Sequence, residues 1–442
     1  MVWENLLNTA QSFLEELELK EDEESLSVKF WHAKCTLCTE TCSNLRQLLQ
    51  HENKPLLAPP VQVLMVIGGI IGNRETSGKL HRSNQLEREC ESLLQVVLKR
   101  QCHCTIRDLL LCKPQPSSQP HTETLALQFL RLCVAQIARS PAQNHEEALN
   151  YRPLFRDALI WLSEQLDYPE MAGDEFIGVL QPFGLRLCGD HRPAIQLAGL
   201  KLLSGLAKKA RIADWRSSNR AEAVINQLFE HRLGCGPGSS ELVLDAVYKT
   251  MFMLFRLLDS SKSHTWWNKI ADRLLFDIIM EGKKLRLTVL LRHMLTVIQL
   301  MKTDFAGHSR GFLHAVSVVL LGPRTPNYLK KTLPDDAQDE TVHSLMLQCI
   351  QQFIRFSWPI VSPTLLPSLI SPLVAFVDLT HATTVCEVNA THDQENSAHC
   401  PETITEVLTA LVDLEPRILS DILIPVCTTV PALKQYIPAS CE

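Results

Sequence analysis

Cys35, Cys38 and Cys42, with His51 beyond them, have the residue types of a zinc site, in which thiolates and imidazole close a tetrahedron around the ion. Trp31, Cys35, Cys38, Cys42, Leu45 and Leu49 also recur in steps of four and three, the signature of one apolar stripe on a helix. Seven helical residues rise about 10 Å, whereas thiolates sharing one zinc sit about 4 Å apart. Cys35 and Cys42 therefore meet at one ion only if the helix breaks, and the cysteines read as core side chains. His381, Cys386, His392, His399 and Cys400 form a second set of potential ligands, but their spacings match no zinc pattern and they read as a polar loop.

Other chemistry fails on spacing. Gly68-Gly69-x-x-Gly72 with Gly78-Lys79 only approaches a phosphate loop: the interval is wrong, Leu80 stands where Ser or Thr would hold a metal, and no strand precedes it. A close helix crossing explains the same glycines. No Gly-x-Ser-x-Gly elbow, His-Glu-x-x-His pair or kinase signature occurs. The sequence thus offers no catalytic residue, no cofactor-binding residue and no metal ligand set.

What remains is a set of possible contact residues. Lys208, Lys209 and Arg211 cluster at a helix end, and Lys283, Lys284 and Arg286 do the same about two helices later. Cations at helix C-termini answer the macrodipole, and an acidic partner surface would use the same charges. Trp358-Pro359 at the end of another helix is a candidate interface anchor, since Trp is enriched at binding hot spots.

The elements that would position these residues are helices. Apolar residues recur at three and four from 60–72 through 192–209 and 284–302 to 416–425, and no stretch alternates with period two. Punctuation fits: Asp190 and Pro193 before one helix, Gly234-Cys235-Gly236-Pro237-Gly238 and Glu281-Gly282 between others. Pairs of helices recur near every 40 residues, which predicts an all-α fold, an α-solenoid of stacked antiparallel pairs of the HEAT or armadillo kind. Ala198, Gly199 and Gly205 inside 193–209 are expected to let neighbouring axes approach. The expected organisation is an N-terminal helical region at 1–112, a loop at 113–121, and a solenoid at 122–442 with long loops at 322–340 and 379–401.

The bulk numbers agree with a folded chain: 442 residues, 45% hydrophobic and 21% charged. A formal net charge of −6 gives no basic excess for a phosphate backbone, so no direct nucleic-acid partner is expected. Residues 356–377 run uncharged but hold four prolines and four serines, so they read as a buried helix behind a Pro-rich turn, not a membrane span. The acidic amphipathic N-terminus lacks a leader's basic and apolar regions, and fifteen scattered cysteines suit reduced thiols, so a cytoplasmic and nuclear location is expected.

In order and hydrophobic pattern, several segments resemble one family. They are APPVQVLMVIGGIIGNRETSGKL (58–80), PAIQLAGLKLLSGLAKKARIADW (193–215), AEAVINQLFEHRL (221–233), ELVLDAVYKTMFMLFRLL (241–258), IIMEGKKLRLTVLLRHM (278–294) and ETVHSLMLQCIQQFIRFSWPIVSP (340–363). Together they touch about two-thirds of the chain, and they resemble the Tti-two family, the second Tel-two-interacting proteins. The resemblance implies a non-enzymatic α-solenoid adaptor with Tel-two and Tti-one-like solenoid subunits as partners. It also implies the ninety-kilodalton heat-shock chaperone as an indirect partner and phosphatidylinositol-kinase-like kinases of checkpoint and nutrient signalling as clients. An importin-like transport or kinase-scaffold solenoid is the alternative of the same class, and a zinc-dependent enzyme the alternative from another.

Overall fold

The computed structural model describes Ser43, Arg46 and residues 61–76, 84–100, 105–112, 123–138, 153–171, 175–230, 240–258, 265–322, 336–357, 365–388 and 400–437. Among these, every regular element is helical and no strand occurs. The contacts divide the chain into two compact units: Met1–Gly234 with Lys249–Leu258, and Cys235–Tyr248 with Asp259–Glu442.

The first unit is built on a helix that is apolar on every side. α1 (Val61–Thr76) reads VQVLMVIGGIIGNRET, and Val63 to Ile67 are all nearly inaccessible to solvent; such a helix must be surrounded. It packs on α2 (Asn84–Arg100), α4 (Leu125–Ala138), α7 (Pro193–Lys209) and, most extensively, α5 (Pro153–Gln165). The glycines explain the closeness to α5. A Cβ on Gly68 would lie 2.5 Å from the Trp161 ring, one on Gly69 2.7 Å from the Leu154 carbonyl, and one on Gly72 would fall onto the Asp157 carbonyl. The helix crossing expected at Gly68-Gly69 is there, and Gly72 extends it by a turn.

α3 (Ile106–Leu111) opens with a capping box, Thr105 Oγ1 accepting from the Asp108 N–H at 3.0 Å while Asp108 Oδ2 accepts from the Thr105 N–H at 3.2 Å. α6 (Ile177–Gly189) and α7 form a hairpin across Asp190–Arg192. Here Pro193 opens α7 as expected, but Asp190 is not its cap. Its carboxylate instead accepts the Arg192 N–H at 2.8 Å and its carbonyl accepts from Gln196 Nε2 at 2.5 Å, folding the turn. Gly184 and Gly199 form the crossing: a Cβ on Gly199 would be 2.7 Å from the Cys188 nitrogen and from the Gly184 carbonyl oxygen. Gly205 has nothing within 4 Å of such a Cβ, so the expectation that it serves the crossing is corrected. α8 (Ile212–Arg216) and α9 (Arg220–Leu228) follow; α8 buries Trp215, whose indole N–H donates to the Leu206 carbonyl at 3.4 Å.

α10 (Glu241–Leu258) contributes its first half to the second unit and its second half to the first. The second unit continues with α11 (Thr265–Met280), α12 (Lys284–Met301), α13 (Ser309–Leu321), α14 (Asp336–Ser357), α15 (Leu366–Val388), α16 (Cys400–Leu414) and α17 (Ile424–Thr429). Its packing is that of a two-layer stack. α11 pairs with α12 and α13 with α14, while α11, α13 and α15 touch in succession and α12, α14 and α16 do the same. Each helix pair therefore buries its apolar face on the next, which is the solenoid principle. Phe305, Phe312 and Phe353 knit the 3₁₀ turn Lys302–His308 to α13 and α14, with ring centroids 4.7–6.2 Å apart.

Three boundaries differ from the sequence reading. The helices flanking 113–121 pack together within the first unit, α3 and α1 both touching α4, so the contacts do not divide there. α15 continues to Val388 and α16 begins at Cys400, which makes much of 379–401 helical. α14 begins at Asp336, inside the stretch read as the loop 322–340. Polar residues there satisfy a helix as readily as a loop. The short α3 and α8 were not foreseen, being too brief to show a period.

Candidate partner-binding surface

The first basic cluster works mainly inside the fold. Lys209, in the last turn of α7, places its ammonium over the end of α5 and donates to the carbonyls of Ser163, Glu164 and Leu166 at 2.9, 2.7 and 2.8 Å. Three donors meet three carbonyls of a helix end that lack intrahelical partners. Asp167 adds an ion pair at 3.5 Å. The Arg211 guanidinium stacks over Tyr168, 4.4 Å from the ring centroid, and Arg107 reaches the same turn from α3, binding both Glu170 oxygens at 2.9 and 2.6 Å. The 166–171 turn is thus held by cations from two sides; Lys208 is exposed, and so is Arg211 although it covers the Tyr168 ring. Sequence reasoning missed the clamp because the spacing between α5 and α7 carries no trace of which turn lies beneath the lysine.

The second cluster divides. Arg286 is 8% exposed, not a surface contact: its Nε donates to Glu281 Oε2 at 2.7 Å, while Glu281 Oε1 accepts the Lys283 N–H at 2.9 Å. One carboxylate therefore closes the α11–α12 turn. Lys283 is exposed and Lys284 half-buried at the same turn. Below it lies a polar tie between three helices. The Tyr248 hydroxyl donates to Asp277 Oδ2 at 3.3 Å, and Arg273 Nε donates to the same oxygen at 3.0 Å. His293 stacks on Tyr248 with centroids 4.9 Å apart and bonds Asp245 through Nε2 at 3.0 Å. Burial, reinforced by Asp277, pushes the Tyr248 phenol well up; burial also raises the Asp277 carboxyl, against the opposing pull of Arg273.

Tyrosine, aspartate, histidine and arginine are the vocabulary of acid–base catalysis, but here Tyr248, Asp277 and His293 are engaged across helices, and Arg273 holds Asp277 from one turn away on the same helix. What the arrangement does is fix α10, α11 and α12 in register.

Other candidates are placed as follows. Trp358 and Pro359 lie outside the described residues, as do Cys35, Cys38, Cys42, His51, His392 and His399. His381 is exposed on α15. Among the described residues no three His, Cys, Asp or Glu side chains are grouped as metal ligands, and no helix is long and apolar enough to cross a membrane. Burial in apolar surroundings pushes the Cys133 and Cys349 thiols well up, away from the reactive thiolate.

Two features went unnoticed in the sequence. An open groove of about 660 Å³ in the first unit is lined by Ile71, Arg88, Glu91, Ile106, Trp161 and Gln165, among others. On α11, Phe276 and Met280 are 57% and 68% exposed. Their i, i+4 spacing was legible, but α11 already has a complete buried stripe of Trp267, Ile270, Ala271, Leu274, Leu275 and Ile278, and only the packing shows which stripe is inward.

The class defined by this fold is the α-solenoid. No family profile matches the chain, and no curated protein matches it. Among solved structures it is similar to the crystal structure of a Kap121p mutant, at 12% identity and a TM-score of 0.39 over 92% of this chain and 41% of that one. The chain spans about two-fifths of that protein's length, and a likeness this loose carries no functional argument.

Proposed function

We propose that the chain is a non-enzymatic adaptor subunit of the Tti-two kind. It binds Tel-two- and Tti-one-like solenoid subunits and, through that assembly and the ninety-kilodalton heat-shock chaperone, stabilises phosphatidylinositol-kinase-like kinases in cytoplasm and nucleus. The observation that supports this reading most is the seating of the resembling segments. Residues 193–215, 221–228, 241–258 and 278–294 fall on consecutive elements from α7 through α12, and 340–357 on α14. Their hydrophobic pattern is what builds the stack. A second support is chemical: the titratable groups that gather in the second unit are paired within the stack, Tyr248 with Asp277 and His293 with Asp245 across helices, and Arg273 with Asp277 along one helix.

The test is affinity purification of the tagged full chain at physiological salt, with partners identified and kinase abundance followed after depletion. The reading expects Tel-two- and Tti-one-like subunits in near-stoichiometric amounts and falling levels of the client kinases. Recovery of transport cargoes and pore proteins in their place would replace it with the importin-like alternative.

A further inference from the structure

We draw no further inference here: the strongest candidate, the open groove of about 660 Å³ between α1, α2, α3 and α5 of the first unit, carries none because nothing in the structure shows what covers it.

Discussion

Gly199 and Gly205 stand on the same helix, and the sequence treats them alike. In the fold they differ: a methyl on Gly199 meets backbone of α6, while one on Gly205 meets nothing within 4 Å. Gly199→Ala is expected to destabilise by about 1–3 kcal/mol because backbone cannot move aside cheaply. Gly205→Ala is expected to stabilise by about 0.5–1 kcal/mol through helix propensity alone; paired denaturant titrations of the two variants check the opposite signs. Asp190 carries a pH dependence. Burial alone would raise its carboxyl, but hydrogen bonds from the Arg192 side chain and backbone outweigh this and hold it below the ordinary value. With a folded pKa below the unfolded one, its stabilisation is present above the unfolded pKa and is lost as pH falls through the folded one. Asp190→Asn should therefore melt lower than the parent at neutral pH, by an amount equivalent to about 1 kcal/mol, and the gap should close in acid below the usual aspartate range. Thermal melts of both proteins across pH measure it. Small residues and the turn were visible in the sequence; which atoms they face was not, because that depends on a helix elsewhere in the chain.

At the scale of elements, the α11–α12 hairpin depends on a carboxylate and a guanidinium that are both almost wholly withdrawn from water. Arg286→Met leaves Glu281 buried without its counter-ion and is expected to cost about 3–5 kcal/mol. Glu281→Leu with Arg286→Met removes both charges and should cost far less. Unfolding titrations of the single and double variants separate the two. The hairpin itself was legible from Glu281-Gly282 between two apolar periods, but Arg286 read as surface charge because a helix with a cationic first turn usually turns it outward. Helix ends were the least legible feature. α15 runs to Val388 through Thr380, His381 and Cys386, residues whose polarity suggested a loop. Once one face of a helix is buried by α13, the opposite face tolerates polar side chains freely.

Over the whole chain, the three- and four-residue period and the spacing of helix pairs were enough to give an all-α solenoid, since each amphipathic pair has only its neighbours on which to bury its apolar face. Among the described residues, Tyr248, Asp277 and His293, whose types also serve in catalysis, fix one helix against the next. The proposed adaptor works through its exposed flank, and association with other chains is the property on which that proposal depends. Sedimentation velocity of the tagged full chain in cell extract at physiological salt tests this most directly. The expected result is that nearly all of it migrates within an assembly several times the mass of one chain, together with the solenoid partners recovered in the purification. Migration at the mass of a single chain, unchanged on dilution or on supplying those partners, would contradict the account.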